Sequence, residues 1–237
     1  MRVVITQPNY LPWRGWFAQA ADADLLILYD TVQYTKRDWR NRNRIQTAAG
    51  TPTWLTIPVQ VADRYHQTIR ETKIADSSWC CRHLRLIDAA YSGSPSYLEF
   101  ADQLKSCLLG VETAGLLLDV TKPTTAWILG LLEVKTPVIL ASSLPHEGNP
   151  SERLAQLVEA TRGTTYLTGP SALSYLDTSQ FTRRGIRIEV FEYAQLEPDP
   201  GGQLPGGEYS VIDALARLGP ERVKELITPT QSWTKAI

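Results

Sequence analysis

One stretch of nine residues, Lys36-Arg37-Asp38-Trp39-Arg40-Asn41-Arg42-Asn43-Arg44, holds five cations, one anion, two asparagines and a tryptophan. Its local charge is +4, in a chain of 237 residues whose net charge is −1. Guanidinium groups fork onto carboxylates and phosphates through paired hydrogen bonds. Asparagine amides can hold polar groups without adding charge. The composition therefore predicts a subsite for an anionic ligand such as a diphosphate, bound by Arg42 and Arg44 and oriented by Asn41 and Asn43. The competing reading is a solvated loop, ion-paired to the acidic remainder of the chain.

Three further stretches could contribute. Gln7-Pro8-Asn9-Tyr10-Leu11-Pro12-Trp13-Arg14-Gly15-Trp16 follows the first apolar run. Tyr10 and Trp13 could wall a sugar or base, with Gln7 as a polar contact, or could plug the top of the core. Asp30-Thr31-Val32-Gln33 follows the second apolar run, where Asp30 could act as a base or orient a nucleophile, and Gln33 could contact the substrate. A turn aspartate is the plainer alternative. Gly169-Pro170-Ser171 precedes a predicted helix, and Ser171 could help hold an anion at that helix start. Neither a P-loop nor a G-x-G-x-x-G fingerprint occurs. His66, His83 and His146 are scattered with no second ligand at zinc spacing, so the sequence points to no metal site and names no cofactor. Cys80, Cys81 and Cys107 all lie in predicted helix interiors, where an inert thiol is expected.

Elements of the right kind flank these stretches. Arg2 to Thr6 reads as a strand ended by Gln7-Pro8, because proline cannot donate to a sheet ladder. A helix from about Trp13 to Ala23 and the apolar strand Leu25 to Tyr29 complete a βαβ unit. Arg44–Thr47 and Thr53–Val59, around a turn with Gly50, read as a hairpin, and Thr68 to Ile74 is expected to add a third strand. Helices are expected from Asp76 or Ser77 to Tyr91, from Pro95 to Leu109, and from Thr113 to Leu132, the last broken or kinked near Pro123. An α/β rhythm then returns, with strands at Pro137–Ala141, Thr164–Thr168 and Ile186–Tyr193 and a helix started by Asn149-Pro150-Ser151-Glu152 and ended by Gly163. Residues 198–207, seven of them Gly or Pro, read as a loop and candidate lid. Final helices are expected at Ser210–Leu218 and Pro220–Ile227. The predicted fold is α/β: a single three-layer, Rossmann-like domain spanning 1–237 with a mostly parallel sheet. Residues 41–75 form a β-rich excursion with a small hairpin, and residues 76–135 a helical insertion.

Composition sets outer limits. Hydrophobic residues make up 43% and charged residues 21% of the chain, which suits a globular protein and excludes a mainly disordered one. A net charge near zero argues against a general polyanion binder, and so against nucleic acid as the partner. The longest apolar run, Ala126 to Leu132, falls far short of the roughly 20 residues a membrane helix needs. No signal peptide is read at the N-terminus, and the few unpaired cysteines suit a reducing compartment. The expected setting is therefore cytoplasmic, without membrane insertion, with homo-oligomerisation left open.

Taken in order, these motifs resemble the WbqC-like family of bacterial proteins. The resemblance rests on Gln7-Pro8-Asn9-Tyr10-Leu11-Pro12-Trp13 with Gly15, Asp30, Val32-Gln33, and Asn41-Arg42-Asn43-Arg44-Ile45. It continues through Trp54 to Val59, Trp79, His83-Leu84, Tyr91, Ser142-Ser143, Glu152-Arg153-Leu154, Thr165 to Pro170, and Ser210 to Asp213. Two positions depart from the family pattern: Thr31 stands where members often have a second aspartate, and Thr6 where many have histidine. The family is associated with O-antigen, lipopolysaccharide and other surface-glycan gene clusters. The resemblance thus implies a biosynthetic transferase, moving an acyl or aminoacyl group onto an amino group of an activated, nucleotide-linked sugar. The partners would be a small anionic substrate, either nucleotide sugar or acyl donor. A nucleotidyl-transferring or adenylating enzyme and a non-catalytic scaffold of a glycan assembly complex remain the alternatives.

Overall fold

Short β-branched and leucine-rich runs build the centre of the molecule, which a computed structural model describes for residues 1–196, 204, 209–228 and 233–235. In chain order the elements begin with β1 (Arg2–Thr6), α1 (Arg14–Ala21), β2 (Leu25–Leu28), β3 (Arg42–Gln46) and β4 (Pro52–Thr56). The helical insertion follows: α2 (Trp79–Tyr91), α3 (Pro95–Leu98), α4 (Ala101–Leu109) and α5 (Leu118–Leu131). The chain returns through β5 (Val138–Leu140), α6 (Pro150–Ala160), β6 (Thr165–Thr168), α7 (Ser179–Thr182) and β7 (Arg187–Phe191). It closes with α8 (Val211–Leu218), α9 (Pro220–Ile227) and β8 (Trp233–Lys235).

The main sheet runs β5-β2-β1-β6-β7-β8, parallel except for β8, which pairs antiparallel at one edge. Val4 lies between Leu26 and Leu167 in register. Alternating side chains divide between two apolar layers, as expected when both faces of a parallel sheet are covered. Val4, Leu26, Leu28 and Leu167 pack with Phe17 of α1, Leu215 of α8, Val223 of α9 and the insertion helices. Val3, Ile5, Ile27, Tyr166 and Ile188 pack with Leu157 and Val158 of α6 and Phe181 of α7. The result is the three-layer α/β fold expected, with β3–β4 as a separate antiparallel ribbon.

The local differences from expectation have physical causes. Residues 68–74 do not form a third strand. Thr68 and Glu71 make a reciprocal capping box around a 3-10 turn, Ile69–Glu71, which leaves only isolated bridges to Gln33, Val59 and Leu116. The helix expected from Pro95 to Leu109 divides at Phe100, whose buried ring takes the cap position before α4. Pro123 does not break α5; the helix starts at Leu118 rather than Thr113 and passes through it. Cys80 and Cys81 sit in the first turn of α2 rather than in a helix interior, with Cys80 buried and Cys81 exposed. The candidate lid at 198–207 lies, apart from Leu204, outside the described residues. Among the described residues no helix is long and apolar enough to cross a membrane.

Candidate functional site

Chain order makes a crevice between β1 and β6. From β1 the chain moves through α1 to β2 and on to β5. It then returns through α6 to β6 on the other side of β1. Loops leaving two neighbouring strands in opposite directions open a cleft at their carboxyl ends, the usual ligand position in open α/β sheets. A cavity of about 480 Å³ lies there. Thr6 and Gln7 from the end of β1, and Thr168, Gly169 and Ser171 from the end of β6, form its floor. Tyr29 and Val32 follow β2, and Arg40, Arg153 and Tyr193 complete the polar wall.

Arg153 enters from the first turns of α6. Asn149 caps that helix by accepting the Glu152 amide at 2.9 Å, and Pro150 fixes its first residue. The Arg153 Nε is sealed from solvent without a hydrogen-bond partner, and the guanidinium has no ion pair among the described residues. Burial raises the pKa of the nearby Tyr29 phenol, and Arg153 opposes that shift only in part. The Tyr29 hydroxyl is likewise buried without a partner.

Arg40 enters from the turn before β3. It donates to Asn9 Oδ1 and, at 3.3 Å, to Asp38 Oδ2, while its Nε has no partner. Burial lowers the Arg40 pKa, and the Asp38 charge counters it. Burial alone would raise the Asp38 carboxyl, but the Thr35 hydroxyl, Arg40, the Trp39 amide and Arg42 outweigh it and hold the group below its ordinary value. Tyr193 accepts from Gln19 Nε2 and packs on Trp13, ring centroids 5.0 Å apart. A Cβ at Gly15 would lie 2.3 Å from the Trp13 ring, so only glycine lets that indole fold over the start of α1. The described lining of the crevice contains no carboxylate, imidazole or thiol.

The residues singled out from sequence are dispersed. Gln7 and Ser171 line the crevice. Trp13 lines a small adjoining cavity of about 50 Å³ with Asn9, Pro12, Trp39 and Asn43. Tyr10 is fully buried against Trp79, and its hydroxyl donates to His83 Nδ1 at 2.9 Å. Gln33 is exposed and donates to the Tyr65 carbonyl at 2.7 Å.

The Asn-Arg-Asn-Arg motif forms part of β3, and strand alternation sends its two residue types to opposite faces. Asn41 and Asn43 point inward. Asn41 donates to the Ile57 carbonyl at 2.8 Å, and Asn43 donates to the Leu11 carbonyl at 2.7 Å while accepting the Arg44 amide at 2.8 Å. Arg42 and Arg44 lie outward over aromatic rings, Arg42 4.2 Å and Arg44 5.5 Å from the Trp54 centroid. Asp30 is fully buried elsewhere, its Oδ1 accepting the Ser142 amide at 2.9 Å and its Oδ2 without a partner. Its described side-chain hydrogen bond is to Ser142 and not to Arg42.

Arg40, Arg153, Tyr193 and Gln19 were not among the sequence candidates. For Arg153 the available signal was a helix starting at Asn149-Pro150 just beyond a strand of the sheet. For Arg40 there was no comparable signal, because the strand was expected to start at Arg44 and the structure starts it at Arg42.

The model of the WbqC-like protein family matches residues 7–225. "Uncharacterized protein Rv1507c" of Mycobacterium tuberculosis is 41% identical over 225 residues, covering 93% of this chain and 95% of that protein. No solved structure gives a significant match.

Proposed function

The chain belongs to the WbqC-like protein family, and from that premise we propose that it is a biosynthetic transferase whose crevice holds the diphosphate of a nucleotide-linked sugar. One observation carries the reading: two arginines distant in sequence, Arg40 and Arg153, meet in one cleft with buried Nε groups that lack partners. Guanidinium groups lining a cleft fork onto phosphate oxygens through paired, charge-assisted hydrogen bonds. Thr6, Gln7, Thr168 and Ser171 supply neutral donors and acceptors for a sugar or phosphate beside them. Tyr193 packed on Trp13 offers an apolar wall for a ring.

The group moved is an acyl or aminoacyl unit, and its acceptor is an amino group of the bound sugar. The crevice contributes mainly by holding the acceptor in a reactive pose, an effect worth several kcal/mol in its own right. The described lining holds no carboxylate, imidazole or thiol, which favours a second reading, a non-catalytic nucleotide-sugar binder of a glycan assembly complex.

Calorimetric titration with a uridine diphosphate-linked amino sugar, beside the free amino sugar, tests both readings. Binding that requires the diphosphate is expected, and equal affinity or no binding for the two overturns the assignment. Amide formation with thioester donors then separates the transferase from the binder.

A further inference from the structure

The described lining of the crevice has hydroxyls but no imidazole or carboxylate to activate one, whereas the chain that lines it holds such a pair on its other side. Tyr29 and Val32 face the crevice, and Thr31 between them faces a neighbouring groove of about 790 Å³. There Thr31 Oγ1 lies 2.7 Å from His146 Nε2. His146 Nδ1 lies 2.9 Å from the Leu144 carbonyl, which can only accept, so Nδ1 carries the proton and Nε2 is the acceptor for the threonine hydroxyl. A hydroxyl, an imidazole acceptor and a group that fixes the imidazole tautomer are the parts of an activated nucleophile.

The surroundings hold this pair in place and leave it accessible. Asp30 ties the end of β2 to the turn after β5 through the Ser142 amide at 2.9 Å, which brings Thr31 and the His146 loop together. The Asp30 carbonyl accepts the Arg70 amide at 3.0 Å, and the Val32 carbonyl accepts the Ile69 amide at 2.9 Å. Thr31 and His146 are both partly exposed to the groove. Arg70 lines the same groove and has no side-chain hydrogen bond or ion pair among the described residues. Its guanidinium brings a positive charge to the groove.

Resting on the acyl-transfer reading above, we propose that Thr31 and His146 are the nucleophile and base of a covalent acyl transfer, and that Asp30 is a positioning residue for them. Thr31 Oγ1 attacks the carbonyl of an ester or thioester donor, and its proton passes to His146 Nε2. Collapse of the adduct breaks the donor's acyl bond, and the departing alcohol or thiol takes the proton from His146. An acyl ester remains on Thr31. An acceptor amine that enters this groove then attacks the ester, and its proton returns through His146 to Thr31 Oγ1 as the ester bond breaks.

The probe is p-nitrophenyl acetate, which carries no phosphate, so the result does not depend on the nucleotide-sugar reading of the crevice. Wild-type protein should release a burst of p-nitrophenolate approaching one equivalent and carry one acetyl group on the peptide containing Thr31. Thr31→Ser should keep the burst and carry the acetyl group on the new serine. Thr31→Ala and His146→Gln should each reduce it at least tenfold. The His146 variant separates a base from a mere loop clamp, because glutamine keeps a hydrogen-bonding side chain without the basicity. No burst in the wild type, an acetyl group at another residue, or an undiminished burst in Thr31→Ala overturns the proposal. Localising the adduct in the wild type keeps the test decisive even where a variant folds poorly.

Discussion

The β3–β4 ribbon and the crevice between β1 and β6 use the same residue types to opposite ends. In the ribbon most of the polar groups are spent on the fold, although Asn41 Oδ1 and Arg42 Nε are buried without a hydrogen bond among the described residues. Asn43 is bonded to the Leu11 carbonyl and the Arg44 amide, Asn41 to the Ile57 carbonyl, and Arg42 lies flat over Trp54. In the crevice the Arg153 Nε, the Tyr29 hydroxyl and the Arg40 Nε have no hydrogen-bond partner among the described residues. Buried polar groups are normally satisfied, so those left open beside a cavity mark where a ligand completes the structure. A dense polar motif is thus a poor guide to a site when its spacing is that of a strand.

Asp213 should show the largest effect, because it anchors the ribbon. It is 1% exposed and accepts the Gln46 amide of β3 at 3.0 Å, the Tyr91 hydroxyl of α2 and Arg217 Nε at 2.9 Å. Asp213→Ala leaves three donors unbonded and should cost about 3–5 kcal/mol in urea unfolding. A loss below about 1 kcal/mol would break the claim that polar groups on this side are structural.

His83 makes the same side sensitive to acid. Its Nδ1 accepts from Tyr10, its Nε2 donates to the Thr56 carbonyl of β4 at 3.2 Å, and burial pushes its pKa down to about 4. The unfolded chain would hold the same ring near 6.5. Because the folded value is the lower one, this stabilisation is complete above pH 6.5. It is lost as pH falls from there to about 4, for a total of about 3 kcal/mol. Unfolding curves across that range should show the slope in the wild type and a flatter profile in His83→Gln. Equal slopes would return His83 to an ordinary solvated histidine.

Much of this division was legible in the sequence, and the remainder was not for identifiable reasons. The apolar runs at Val3–Ile5 and Leu25–Tyr29 are too continuous for a surface strand, and they do form the buried parallel centre. Asn149-Pro150 and Ser210 mark helix starts through local capping that needs no tertiary knowledge. Residues 68–74 look like a strand because Thr68 and Ile74 favour one, but the Thr68–Glu71 capping box turns the segment into a 3-10 helix instead. The crevice was only half legible. Gln7 and Ser171 sit beside strand ends that sequence can locate. Arg40 joins Arg153 only through the crossing order β5-β2-β1-β6, a property of the whole sheet.

On the open side, Arg153→Ala should weaken diphosphate-sugar binding about 10- to 100-fold, the usual range for a charged hydrogen bond of roughly 1.5–3 kcal/mol. Stability should shift by no more than about 0.5 kcal/mol, since the side chain has no hydrogen bond or ion pair among the described residues to lose. Arg40→Ala should weaken both binding and stability, because Arg40 also bonds Asn9 and Asp38. This contrast sharpens the comparison: one arginine waits for the ligand, and the other is shared between ligand and fold. Equal stability losses in the two variants would erase the distinction.

The smallest effect is expected at Arg42, the residue that composition alone placed foremost. Its guanidinium lies 4.2 Å from the Trp54 centroid, and Trp54 is 40% exposed. Cation–π contacts at exposed sites contribute about 0.5–1 kcal/mol, so Arg42→Ala should destabilise the protein by that amount or less. Calorimetric affinity for the diphosphate sugar should change less than twofold, because Arg42 does not line the crevice. A tenfold loss would mean that the ligand reaches from Arg153 across the Trp13–Trp39 cavity onto the ribbon. The stacked arginines would then belong to the site, and their packing on tryptophan would be a resting position that ligand displaces.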